Sequence, residues 1–181
     1  MAHQEDDWIE TFTGKHFHFP VPADDDFCIE DIAHGLAFTC RYSGHCKRFY
    51  SVAEHSVLLS RYEDERIDAA DIRRELLMHD AQEAYLTDVP RPLKQYLADY
   101  KTIEARLEKS IERIFNLVMP QPLVKEFDSR ILVTEAPQLG LHVSEWCDYY
   151  KQLKPLDIKL EMWPPDVAEE EFLTRFYELY Y

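Results

Sequence analysis

Apolar residues recur along most of this chain at three- and four-residue steps, the period of a helix buried along one side. The cleanest run spans 100–118, where Ile103, Leu107, Ile111, Ile114, Phe115 and Val118 fall on one stripe. A helix opens near Phe27 to Asp31 and carries Ile32, Ala33, Leu36, Ala37 and Cys40. The sequence Ser51-Val52-Ala53-Glu54 has the capping-box pattern and starts a second helix with Val57, Leu58 and Leu59. A third is expected over 68–85, with Ile72, Leu76, Leu77, Ala81 and Ala84 inward, ended by the prolines of Asp88-Val89-Pro90-Arg91-Pro92. Further helices are expected after Pro122 (Leu123, Val124, Phe127, Ile131, Leu132), over 141–153, and over 167–180. Only the start differs: residues 11–22 alternate and break at prolines, as an extended arm or short hairpin does. The pattern predicts one all-α domain, residues 23–181, behind an arm at 1–22.

One helix interrupts its own pattern. After Leu76, Leu77 and Met78 come His79 and Asp80, polar groups where burial is expected. An unpaired buried carboxylate is strongly unfavourable, so such groups need partners. His55 on the second helix and Asp128 on the helix after Pro122, beside Phe127, Ile131 and Leu132, are candidates for the same place. Imidazole and carboxylate together suit a divalent ion such as Zn, Co, Mn, Fe or Mg, and two of each leave coordination positions open. Singly, each of the four residues reads more readily as a satisfied core or boundary group; the four together reverse that.

Composition narrows the rest. The 181 residues suffice for one well-buried domain. The net charge of −15 argues against a general nucleic-acid-binding surface, though a metal and a few cations inside a site would still admit a small phosphorylated substrate. No apolar run approaches the roughly 18 residues of a membrane helix, and the acidic amino terminus reads as neither signal nor transit peptide. Four cysteines without C-x-x-C spacing read as reduced thiols, and the expected location is the cytoplasm.

The order His55…His79-Asp80…Asp128 on helices resembles the HD-domain metal-dependent phosphohydrolases. The stretches 52–56 and 79–83 resemble the branch of bacterial 5′-deoxynucleotidases and phage deoxynucleoside triphosphohydrolases, over about residues 31–134. No histidine lies between Asp80 and Asp128, so the chain lacks the extra pair that dinuclear members of the family carry, and one tightly held metal is expected. It also lacks the Gly-Tyr-Pro motif of the cyclic-dinucleotide branch, and where the alarmone hydrolases carry an adjacent Glu-Asp pair shortly after the His-Asp pair, Glu83 here is followed by Ala84.

The resemblance implies roles for five more residues. Glu83, four residues after His79 and so on the same helical face, is the expected general base. Asp88 is expected to protonate the leaving oxygen, bind the sugar 3′-hydroxyl or hold a second metal; a turn residue before Val89-Pro90 is its plainer reading. Arg41 matches a phosphate-binding arginine, and Tyr42 stands where the nucleotidase branch has tryptophan. Lys94 matches a lysine of a proline-rich loop. His45-Cys46 reads as a polar loop, His34 as a core-edge residue. The expectation is a metal-dependent hydrolase of nucleotide phosphoesters, either a deoxynucleoside monophosphatase or a triphosphohydrolase acting on a substrate such as dATP. If phage-encoded, it would work in the host cytoplasm. The alternative is a nucleotide-binding regulatory protein with little turnover. A small-molecule partner is expected, with no nucleic-acid polymer and no membrane; a homo-oligomer is implied by resemblance alone.

Overall fold

The computed structural model describes residues 7–19, 21–118 and 122–181. The alternating arm folds back as an antiparallel hairpin of β1 (Trp8–Glu10) and β2 (His16–His18), with Ile9 opposite Phe17. Phe17 is fully buried while its neighbours remain accessible, as period-two alternation requires. The hairpin turn is tied to the next helix: the Thr13 amide and hydroxyl donate to the two carboxylate oxygens of Asp31, at 2.7 and 2.8 Å.

Nine α-helical segments follow among the described residues: α1 Ile29–Phe38, α2 Val52–Arg61, α3 Ala70–Met78, α4 Glu83–Leu86, α5 Arg91–Lys94, α6 Ala98–Ile114, α7 Pro122–Gln138, α8 Asp148–Lys151 and α9 Pro165–Tyr180. The all-α reading therefore holds. Helices α1, α2 and α9 pack on one another, α3 packs on α2 and α9, and α7 lies against α2 and α3. The main core joins Ile32, Leu36, Val57, Leu77, Leu107, Phe172 and Phe176. A second cluster, with Leu59, Leu76, Phe127 and Ile131, fills the space under α7. Gly35 of α1 meets α4 backbone to backbone: a Cβ there would lie 2.7 Å from the carbonyl oxygen of Ala84.

Four expected elements differ. The single helix over 68–85 is two, α3 and α4, joined by a tight turn through His79–Gln82. The helix expected over 141–153 is a 3-10 turn (Val143–Glu145) and the single turn α8, because most side chains there are exposed and no continuous face is buried. α6 stops at Ile114, where Asn116 turns left-handed (φ 51) and the Leu117 amide donates to the Glu112 carbonyl. Val118, expected on the apolar stripe, is consequently 65% exposed. The prolines after Asp88 end α4 but do not prevent α5, whose first turn accommodates Pro92 because no intrahelical N–H is needed there.

Candidate metal centre and its pocket

α2 begins where Ser51 accepts a hydrogen bond from the Glu54 amide at 3.0 Å. The reciprocal half of the expected capping box is absent. Glu54 turns its carboxylate instead to three successive amides, those of Glu161, Met162 and Trp163, each at 2.8 Å. Met162 adopts a left-handed conformation (φ 60), which aims consecutive N–H groups at one anion. The next residue, His55, is fully buried in another environment. Its Nδ1 lies 3.0 Å from Glu135 Oε2 on α7.

α3 ends because a side chain takes over its hydrogen bonding. The His79 Nδ1–H donates to the Leu76 carbonyl at 2.9 Å, occupying an acceptor that a continuing helix would use. The amides of Ala81, Glu83 and Ala84 then bond three residues back rather than four. This tightening moves His79 and Glu83 out of simple helical register, so the argument from a shared helical face lapses. Asp80 and Glu83 nevertheless line one pocket.

A carbonyl only accepts, so Nδ1 of His79 carries a proton and the ring in its neutral form presents a bare Nε2. Glu135 imposes the same tautomer on His55. Burial alone would raise the Glu135 pKa, but Arg41 and His55 hold it below the ordinary value, so this carboxylate is an ionised acceptor. The two Nε2 atoms face each other at 3.3 Å. Asp80 Oδ2 lies 3.2 Å from His79 Nε2 and 3.8 Å from His55 Nε2. Asp128 Oδ1 lies 3.7 and 3.6 Å from the same nitrogens. All four donor atoms fall within 4.8 Å of one another.

These residues fit a divalent metal. Ligands held at about 2.0–2.1 Å by a tetrahedral ion stand about 3.3–3.4 Å apart, close to the separations seen. Two bare nitrogens and two carboxylates at such distances repel unless a cation lies between them. The same demand acts on protons: burial would depress the His79 pKa, yet Asp80 and Asp128 hold it well above the ordinary value. Asp128, despite burial, is held well below its usual range by His55 and His79.

The pocket beside this cluster has a volume of about 660 Å³. Arg41, Tyr42, His45, Asp88 and Lys94 all line it, along with Asp80, Glu83 and Asp128. Glu83 is almost wholly buried, and its Oε2 has no hydrogen-bond partner among the described residues. Burial, then the charges of Asp80 and Asp88, push its pKa well above the ordinary value, with Arg41 and Lys94 opposing. Arg41 is 7% exposed and firmly paired: Nε donates to Glu135 Oε1 at 3.0 Å, and Nη1 lies 3.5 Å from Asp80 Oδ2. The Tyr42 hydroxyl donates to Glu135 at 2.8 Å, and its backbone amide to Asp88 at 3.3 Å. Lys94 reaches Glu104 at 2.6 Å. Tyr42, Ser43 and Gly44 run consecutively left-handed, and Thr87 before Asp88 is left-handed too (φ 64), so the backbone is strained on both sides of the pocket. His34 lies elsewhere, stacked between Phe12 and Phe38 and bonded to Glu169 at 2.9 Å.

The HD domain family matches residues 42–135, a span that holds all four cluster residues. The chain belongs to the HD domain family. Membership together with the His/Asp group points to metal-dependent phosphohydrolase chemistry. Two uncharacterised bacterial proteins are similar to this HD domain protein. YfdR of Escherichia coli is 44% identical over 136 residues, covering 74% of this chain and 73% of its own length. A protein of Rhodobacter capsulatus is 30% identical over 186 residues, covering 95% of each chain. Among the described residues, no helix of this HD domain protein is long and apolar enough to cross a membrane.

Glu135 was missed in the sequence, and it organises much of the site. It lies seven residues after Asp128, two helical turns along one face of α7. That spacing was the available signal. Arg91, Trp146 and Tyr150 of the pocket wall were missed as well, and no local pattern marks them.

Proposed function

We propose that this protein hydrolyses phosphate esters or anhydrides of nucleotides with a divalent ion held by His55, His79, Asp80 and Asp128, acting as a 5′-deoxynucleotidase or a deoxynucleoside triphosphohydrolase. The observation that carries the reading is Glu83: a buried carboxylate in the same pocket as Asp80 and Asp128, with one oxygen unpartnered among the described residues. A binding protein has no use for such a group, whereas hydrolysis needs a base. Bound there, a divalent ion supplies Lewis acidity and lowers the pKa of water.

The chain's own residues do the rest. Glu83 takes the proton from the attacking water, and its raised pKa makes it a stronger base than an ordinary carboxylate. Glu135 fixes the His55 ring and neutralises part of Arg41. Arg41 and Lys94 stabilise charge on the phosphoryl oxygens, with Tyr42 packing near the sugar. Asp88, held by the Tyr42 amide, is the candidate partner for the leaving oxygen or the sugar hydroxyl. Charge favours the smaller substrate, because Arg41 and Lys94 already face Glu135 and Glu104 and leave little positive charge for a triphosphate.

The test is incubation of purified protein with Mg, Mn, Co or Zn and a panel of ribo- and deoxynucleotides, with products separated by chromatography. Release of phosphate or polyphosphate is expected from wild type, with a loss of at least about a thousandfold in His79→Ala. No release from any nucleotide, or full activity in His79→Ala, would sink the hydrolase reading.

A further inference from the structure

One wall of the pocket is left unused by the chemistry above. α7 closes at Gly140 (φ 80), where the Leu141 amide donates back to the Ala136 carbonyl at 2.8 Å. The chain leaving that turn brings Leu141, Trp146, Cys147 and Tyr150 to the pocket. All four lie beyond the segment that matches the HD domain family. The Trp146 and Tyr150 rings meet edge to face, with centroids 5.6 Å apart at 82°, and both remain half-exposed.

Arg91 connects this wall to the metal centre. Its Nη2 donates to Asp128 Oδ2 at 3.0 Å, and its Nη1 donates to the Tyr150 hydroxyl. Its Cζ lies 5.9 Å from the Tyr150 ring centroid. Asp128 thus turns one oxygen to the two histidines and the other to Arg91. The Arg91 side chain is 53% exposed, whereas the side chains of Arg41 and Lys94 are 8% and 22% exposed and paired deeper in the pocket. Arg91 is therefore open to an incoming phosphate from its exposed side while it keeps its pair with Asp128. Its planar fork suits a phosphate, and flat aromatic faces accept any base by stacking.

We propose that Arg91, Trp146 and Tyr150 form the substrate-selecting wall of the pocket. The aromatic pair stacks the planar base of a nucleoside phosphate, and Arg91 sets the distance between that base and the four-residue cluster. The inference rests on the nucleotide reading given above. It makes the protein discriminate nucleotides from base-free sugar phosphates, with little preference among bases.

The experiment compares 2′-deoxyadenosine 5′-monophosphate with 2-deoxyribose 5-phosphate, in the presence of the divalent ion. Kinetics are measured for wild type, Trp146→Ala, Tyr150→Ala, Tyr150→Phe and Arg91→Ala, and tryptophan fluorescence is titrated in parallel with Trp146→Phe as control. The other tryptophans, Trp8 in the hairpin and Trp163 against the main core, provide the unquenched background. Wild type should bind the nucleotide about tenfold or more tightly than the sugar phosphate. Trp146→Ala and Tyr150→Ala should remove that advantage as a rise in KM with kcat nearly unchanged, while Tyr150→Phe keeps most of it. Arg91→Ala should raise KM for both compounds. Circular dichroism identifies any variant that fails to fold, and the ring-preserving variants then carry the comparison. Turnover of the nucleotide with an unaltered KM in the two alanine variants overturns the wall and leaves the hydrolase reading intact. Quenching by the nucleotide that Trp146→Phe abolishes, without turnover, supports the wall and overturns the hydrolase. Neither turnover nor quenching overturns both.

Discussion

Two neighbours on α2 are fully buried and polar, yet the regions they serve are opposites. Glu54 faces the segment 161–163 and is surrounded by three amide donors at 2.8 Å. His55 faces the cluster with His79, Asp80 and Asp128, where acceptors crowd together. In the first region the chain answers its own charge. In the second it assembles lone pairs and negative charge that call for a cation. Burial of a polar residue is thus a poor guide to function; the sign of the groups left facing it is the better one. Glu83 belongs with the second region, and Glu135 lies between them, paired by Arg41 and His55 but serving the cluster.

The sharpest way to break this contrast is Glu83→Gln. Loss of the base should lower kcat by about 10²–10⁴-fold, while thermal stability holds or rises, since a buried carboxylate without a full set of partners is removed. An unchanged kcat would move Glu83 into the structural group. Glu135→Gln should act on both sides: metal affinity, read by competition with a chelator, should weaken about 10–100-fold, with some loss of stability because Arg41 loses its charged partner. Glu54→Ala should affect stability alone. Leaving amides of 161–163 without an acceptor should cost about 3 kcal/mol in urea unfolding, with kcat per folded molecule unchanged. A fall in kcat there would mean that the two sides of α2 are coupled.

The smallest expected effect lies outside both regions, at Asp31. Burial would raise its pKa, but hydrogen bonds from Cys28 and Thr13 hold it below the ordinary value of 3.8. A carboxylate depressed in the folded state stabilises fully above its unfolded pKa, and that stability is lost as pH falls through the folded value. Asp31→Asn should therefore cost about 1 kcal/mol near neutrality and flatten the decline of stability below about pH 4. Melting temperatures across pH 2–7 would reveal it.

The helices α2, α6 and α7 were legible in the sequence because their apolar period is clear, and at α2 the Ser51 cap agrees with it. The break at His79 was not, since neither glycine nor proline marks it; an imidazole replaces a backbone donor, which becomes apparent only in three dimensions. The four cluster residues could be picked out because each sits against apolar neighbours that demand a partner. The Arg41–Glu135 pair spans elements 94 positions apart, and its arginine was read as a free phosphate ligand rather than one already engaged. Trp146 and Tyr150 lie in a stretch that reads as one helix but folds as short turns, and their place follows from how α7 ends rather than from any local pattern.

Gly35 carries no functional group and lies in the layer behind the pocket, yet it acts as a spacer for the chemistry in front. A methyl group there would meet the Ala84 carbonyl at 2.7 Å, and Ala84 adjoins Glu83 at the start of α4. Alanine at this position would press on the short helix and shift the reach of the carboxylate by tenths of an ångström. Tolerance to substitution therefore need not follow distance from the reaction: in this fold a hydrogen atom behind α4 helps fix how far Glu83 extends in front of it.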